Sequence, residues 1–430
     1  MSIQPGEDLS ALEGVHTPAA AQPVTERERI VSIDVLRGLA VLGILPMNIQ
    51  SFSMINAAYW NPTAYGDLHG ANFWVWFLCH IFADQKFMTI FSMLFGAGIL
   101  LMTSRIEASG RPSAALHYRR MGWLVLFGIL HSYLLWSGDI LFSYGMCGLV
   151  AYLFRKRSPR TLLIVGLVIL SMGSIALAAY QMSMRQLSAD EMRIAQEQVW
   201  RPTAAMAGAE LQAFRGGWLA EMPPRVNESV QMETLYFLLF TFWRACGLML
   251  AGMALFKWGV FSAKAPARFY WVLIAAAVLV GIPVTVYGTW TNFQARWDFP
   301  DTLFSTMQTT YWASLLMSMG WVGVMMLLVR GGAVRWATWR LGAVGRMAFT
   351  NYLMHTVICT AIFYGYGFGL FGSVARTGQI AIVACVWAIQ LIASPIWLRH
   401  FLFGPLEWLW RSLTYLRVEP LRRENAPKAA

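Results

Sequence analysis

Charge is what this sequence has least of: Asp, Glu, Lys and Arg make up 13% of its 430 residues, about half the share in an ordinary soluble domain. Hydrophobic residues make up 57%, and the mean hydropathy is +0.50. No linker divides this apolar surface into separate soluble cores. Acidic residues are scarcer than basic ones, 22 against 33. The Lys and Arg residues nevertheless sit in short clusters between apolar runs and form no continuous basic face, which argues against nucleic acid as a partner. Cysteine is sparse too. Cys79, Cys147, Cys246, Cys359 and Cys385 all fall inside apolar runs, with no CxxC and no Cys/His grouping at zinc spacing. Free buried thiols and no metal site are the expectation. Glycine-rich phosphate loops, HExxH and GxSxG are missing, so the common soluble-enzyme signatures contribute nothing.

What is present is a series of long apolar runs. A helix needs about 20 apolar residues to cross a hydrocarbon core of about 30 Å, where every backbone polar group must be satisfied internally. Ten stretches qualify, near 35–55, 73–102, 119–136, 140–154, 161–180, 233–256, 269–290, 307–329, 346–366 and 378–402. The second is long and carries His80, Asp84 and Lys86, which predicts a tilt or a break. The fold class expected is all-α, a polytopic transmembrane bundle of about ten spanning helices. Residues 1–28, polar and rich in Ala, Pro and Glu, read as a disordered cytoplasmic tail. The bundle occupies 29–403, and 404–430 form a cytoplasmic C-terminal segment.

Counting Lys and Arg on alternate sides of ten spans places 23 on one side and 7 on the other, with Arg37, Lys86 and Arg244 inside spans. The positive-inside rule then sets both termini in the cytoplasm of a multi-pass protein. The largest segment on the other side, about 181–231, is long enough for amphipathic helices capping that face, and its length points to a role beyond spacing.

Ionisable residues inside spans are costly and mark function. Asp34 and Arg37 share a helix face at the cytoplasmic boundary, as an interfacial ion pair or an anion-binding group. Asn48, eleven residues on, lies about 16 Å further across. His80 and Asp84 are four apart on one face, a spacing at which a carboxylate fixes a histidine tautomer. His131 and Asp139 flank the tight connection Trp136-Ser137-Gly138-Asp139, which puts imidazole and carboxylate at one membrane level. Arg244 lies mid-span and needs a carboxylate, carbonyl or anionic partner. Asn351 and His355 form a further i, i+4 stripe.

The strings RIVSIDVLRGLAVLGILPMNIQSF (29–52), ADQKFMTIFSMLFGAG (83–98), GDILFSYG (138–145), GRMAFTNYLMHTVI (345–358) and FGPLEWLWRSLTY (403–415) resemble the YeiB family of bacterial inner-membrane proteins. That resemblance implies the bacterial inner membrane as the location. The first string is also similar to a wider group of transmembrane acyltransferases, including heparan-alpha-glucosaminide N-acetyltransferase, in which a cytoplasmic acyl-CoA donates its acyl group to a sugar on the other side. The bacterial glycan enzymes carry Arg followed eleven positions later by His. Here that place is Asn48, as in the heparan enzyme. The His that follows soon after in the heparan enzyme is replaced by the run Tyr59, Trp60, Asn61.

The resemblance implies acyl transfer from acyl-CoA to a hydroxyl or amine of a sugar or lipid acceptor. In that scheme Arg37, Arg119, Arg120 and Arg244 bind the donor. Asn48 stabilises the oxyanion, and His131 or His80, oriented by Asp139 or Asp84, acts as base. The competing class is a transporter or flippase of a small anionic or lipid-linked substrate, although no internal repeat supports it. Membrane lipids are the expected surroundings, and a homodimer is left open.

Overall fold

The computed structural model describes residues 30–423 except Ala333, so the expectation for residues 1–28 lies outside the described residues. The chain is all-α there, apart from one isolated bridge between Phe401 and Arg422. It is a membrane protein of the expected class. Among the described residues, seven helices or runs of consecutive helices are long and apolar enough to cross a membrane: Val31–Ser53, Gly70–Ala108, Pro159–Met184, Met222–Lys257, Ala267–Gln294, Phe299–Gly331 and Arg376–His400. The remaining three of the ten apolar stretches are also helical: α5 (Ala114–Leu134), α6 (Leu141–Ala151, extended by a tight turn to Phe154) and α16 (Ala348–Phe363). Burial explains how α6 and α16 remain short. Most of their residues face protein, so neither has to match the thickness of lipid.

At the centre is α1 (Val31–Ser53), 78% buried over its most apolar window, whereas α7 (Pro159–Met184) and the helix ending the bundle, α17 (Arg376–His400), are 28% buried and face outward. Prolines interrupt two of these helices, each removing one backbone donor and stranding the carbonyl four residues back. Pro46 in α1 leaves the Leu42 carbonyl, and the Trp387 indole donates to it at 2.9 Å. Pro395 in α17 leaves the Leu391 carbonyl, to which Arg340 donates at 3.1 Å. In an apolar medium such a carbonyl left bare is expensive, so both indole and guanidinium serve as backbone substitutes.

The second predicted span is broken. Past the short α2 (Asn56–Trp60), helix α3 (Gly70–Phe82) ends at a short turn, Gln85 adopts a left-handed φ of 63°, and α4 (Lys86–Ala108) continues. Beyond α4, α11 (Phe242–Lys257) approaches so closely that a Cβ at Gly96 would strike the Met249 backbone, and one at Gly252 the Met93 backbone. Residues 181–231 fold as α8 (Ala189–Val199), α9 (Ala204–Arg215) and α10 (Met222–Gln231). Ser188 and Thr203 cap the first two, and the Asn56 amide donates to Glu210 of α9 at 2.7 Å. Four more helices complete the bundle: the pair α12 (Ala267–Ala276) and α13 (Ile282–Gln294), then α14 (Phe299–Gly331) and α15 (Arg335–Arg346). The last of these packs against α1. The chain closes with α18 (Pro405–Tyr415), which rests on α5 and α16.

Candidate functional site

Two cavities follow one another along a single face of α1. Ile30 at its start, the neighbours Ile33 and Asp34, then Arg37, Val41 and Ile44 at steps of three or four line the first, and Met47, three residues further, lines the second. At 1.5 Å per residue the first wall runs about 20 Å along the helix.

The first cavity, about 270 Å³, opens at the arginine-rich end of the bundle. Arg37, Arg105, Arg120, Arg346 and Arg411 line it together with two carboxylates, Asp34 and Glu407. Arg37 is bonded to Asp34 at 2.9 Å. Arg120 lies over the Trp410 ring at 4.2 Å, and Arg411 over Phe403 at 4.3 Å. Such stacking holds a guanidinium plane while its edge stays able to donate. Glu407 is committed elsewhere: it accepts from the Phe349 amide at 2.7 Å, the Thr350 amide at 3.1 Å and the Thr350 hydroxyl, and so caps the start of α16. Burial pushes its carboxyl up, and the Thr350 hydroxyl and these amides pull it back. Deeper in, the walls turn apolar, with Phe91, Leu94, Phe95, Ile99, Leu124 and Leu141. Tyr144 and Tyr352 also line this cavity, the Tyr352 hydroxyl facing the Ile140 amide without a well-formed hydrogen bond.

The second cavity, about 80 Å³, is lined by Tyr59, Trp60, Trp76, Trp200 and Trp297, and by His80 and Asp84. Here His80 Nδ1 lies 3.0 Å from Asp84, its ring stacks on Trp76, and the Lys86 ammonium donates to its carbonyl at 2.7 Å. Trp200 comes from the segment after α8, and its indole donates to the Trp297 carbonyl at 2.8 Å, so the capping helices help to build this cavity.

The residues singled out from sequence separate into those at a cavity and those behind one. Arg37 and Arg120 are on the first wall, and His80 and Asp84 on the second. Arg119 lines neither, since neighbouring residues on a helix point about 100° apart. Asn48 is half-buried and lines neither. Arg244 is fully enclosed, donating to the Tyr311 carbonyl at 3.0 Å, Thr89 Oγ1 at 2.8 Å and Ser314 Oγ at 2.7 Å. It clasps α11 to α4 and α14.

His131 and Asp139 are together, 2.7 Å apart and sealed from solvent. The other His131 nitrogen meets Thr356 Oγ1 at 2.9 Å, and the second Asp139 oxygen accepts from the Phe142 amide at 2.8 Å. Tyr352, 5.6 Å away ring to ring, stands between this pair and the first cavity. His117 went unnoticed in the sequence: it lines the first cavity, stacks on Tyr152 at 4.5 Å and meets the Gly148 carbonyl at 3.0 Å. Its place two residues before Arg119-Arg120 was the available signal. Gly98 of α4 also lines the first cavity.

Comparison with known proteins places the chain among close relatives. Residues 255–417 match a family described as a protein of unknown function, DUF418. The chain is 33% identical over 411 residues to a protein of Escherichia coli (strain K12) described as uncharacterized protein YeiB, covering 91% of this chain and 98% of that one. It is 32% identical over 431 residues to uncharacterized protein YxaH of Bacillus subtilis (strain 168), covering 95% and 99%. An uncharacterized 39.9 kDa protein of Bacillus acidopullulyticus is 26% identical over 403 residues.

Proposed function

The chain belongs to the YeiB family, and from that premise and the two cavities we propose a membrane-embedded acyltransferase that takes its acyl group from a cytoplasmic acyl-CoA. The observation that carries the reading is the sequence of chemistry along the first cavity. Five arginines meet two carboxylates at its mouth, and apolar walls follow. A CoA thioester has the same order, with phosphates at one end and an acyl chain at the other. Arginine suits the phosphates because its planar fork donates in pairs. In this reading the arginine-rich end faces the cytoplasm of a bacterial inner membrane, and the second cavity opens to the other side.

The acceptor, a hydroxyl or amine, sits at the second cavity. Its oxygen or nitrogen attacks the thioester carbon, the carbon–sulfur bond breaks, and the CoA thiolate leaves and is protonated from solvent. Of the two histidine–carboxylate pairs, His80 with Asp84 suits the base, because it lines a cavity. His131, with both nitrogens engaged, supports the wall that carries Tyr352. Asn48 lines neither cavity and is given no role in this reading.

The second reading is a transporter or flippase of a small anionic or lipid-linked substrate, favoured by the succession of both cavities along one face of α1. Purified protein incubated with labelled acyl-CoA separates the two. Acyl transfer predicts that acyl-CoA binds, more weakly in Arg120→Ala, and that CoA release is lost in His80→Ala while the donor still binds. Flux of an anionic solute with no bound or released CoA would favour transport and end the enzyme reading.

A further inference from the structure

Arg105 and Phe91 mark the two ends of the wall that α4 gives to the first cavity, and Gly98 lies midway between them. At 1.5 Å per residue that wall is about 21 Å long, and Gly98 is about 10 Å from either end. Phe95 and Met102, on the turns to each side of it, also line the cavity. Gly98 is the place on this stripe where the helix presents no side chain.

Its reason for being glycine differs from its neighbour's. A Cβ at Gly96 would strike the Met249 backbone of α11, so close helix packing dictates that residue. A Cβ at Gly98 would meet no atom within 4 Å. The residue is half-buried and lines the cavity, so the open space beside it is the cavity itself. Glycine is unfavourable inside a helix relative to alanine. No packing contact offsets that disadvantage here, and what the missing side chain does is widen the cavity at mid-length.

A ligand that joins the arginine mouth to the apolar end has to pass this point. Three bonds of an extended chain reach about 3.6 Å, so the pantetheine arm of CoA, about thirteen bonds from phosphate to sulfur, reaches about 16 Å. With its phosphate at the level of Arg105, the arm passes Gly98 and brings its sulfur to the level of Phe95. A leucine at position 98 would stand in its way.

We propose that Gly98 is the specificity-determining residue of the first cavity. Its missing side chain keeps open the passage by which a chain attached to a phosphate reaches the apolar end, so the cavity selects its ligand by the chain and not by the phosphates alone. The inference rests on the acyl-transfer reading only for the identity of that chain, the pantetheine arm. A plain alkyl phosphate tests it without CoA.

The test uses the full chain in lipid nanodiscs, with the signal of empty nanodiscs subtracted. CoA carries phosphates and the arm, adenosine bisphosphate the phosphates alone, and dodecyl phosphate a plain chain of about 14 Å. Each is titrated by calorimetry into wild type, Gly98→Ala, Gly98→Leu and Gly122→Leu. Gly122 of α5 is exposed, lines neither cavity and also has open space where a Cβ would stand, so its variant controls for the added side chain. Wild type binds all three ligands. Gly98→Leu weakens CoA and dodecyl phosphate roughly tenfold, the effect of forcing a side chain and a ligand into one space, and leaves adenosine bisphosphate unchanged. Gly98→Ala falls between, and Gly122→Leu matches wild type. Because the space is open, neither Gly98 variant melts below wild type without ligand. If CoA fails to bind while dodecyl phosphate binds and is weakened in Gly98→Leu, the inference stands and the acyl-CoA reading falls. Unchanged affinity of Gly98→Leu for both chain-bearing ligands, equal weakening of adenosine bisphosphate, a lowered melting point, or no binding of any ligand to wild type would each overturn the assignment, and of these only the last also ends the acyl-CoA reading.

Discussion

His131 and Asp139 show how a single residue pair can carry a wall of the site. The carboxylate is fully buried and depends on the imidazole and the Phe142 amide. His131→Ala strands it, and removing one partner of a buried pair costs roughly 3 kcal/mol. The melting point of the purified protein should therefore fall sharply in His131→Ala, and less in Thr356→Val, which removes only the neutral partner. Equal melting points in all three proteins would contradict the geometry. Glu210, outside the spans, offers a pH test. Its own burial and the nearby Glu228 carboxylate push its carboxyl up to about 7 from 4.5, against the Asn56 amide. The protonated form is the one the fold favours, so this contribution is complete below about pH 4.5 and lost as pH rises through 7. Glu210→Gln keeps an acceptor for Asn56, so the variant should lose part of the wild-type decline in melting point between pH 5 and 8.

The same scale shows what could be read from sequence. Arg37 and Asp34 were legible because three-residue spacing puts them on one face, and the structure pairs them. Arg119 and Arg120 were indistinguishable, since the choice of which faces the cavity depends on where α18 brings Trp410. Arg244 announced its need for a partner, but Thr89, Tyr311 and Ser314 come from helices far away in sequence. His117 carried no carboxylate at helical spacing and passed unnoticed.

At the scale of elements, the apolar runs located the spanning helices, and His80, Asp84 and Lys86 in the second run predicted a tilt or a break, of which the structure has the break between α3 and α4. Cryptic in the sequence was the job of the C-terminal segment. Helix α18 forms one wall of the first cavity, and its Glu407 caps α16, the helix carrying Tyr352, His355 and Thr356. Glu407→Ala leaves two helix-terminal amides without their carboxylate, a loss of about 1–2 kcal/mol. The melting point should drop accordingly and be largely restored in Glu407→Gln. An unchanged Glu407→Ala protein would mean that α16 is capped by something else.

For the whole molecule, hydropathy and charge asymmetry together predicted a helical membrane bundle, because both are local sums along the chain. The two cavities were not predictable in that way. Each is built from helices far apart in sequence, joined only by a face of α1 whose period is visible but whose neighbours are not.

Acyl transfer from CoA requires the arginine-mouthed cavity to open to the cytoplasm and to hold acyl-CoA. Tyr415 lines that cavity on α18. A Tyr415→Cys variant, made in a chain whose own five cysteines are replaced, can be labelled with a membrane-impermeant maleimide in vesicles of each orientation. Labelling only in inside-out vesicles, with protection by acyl-CoA and none by inorganic phosphate at equal concentration, is the predicted result. Labelling only in right-side-out vesicles, or cytoplasmic labelling that acyl-CoA leaves untouched, would contradict it.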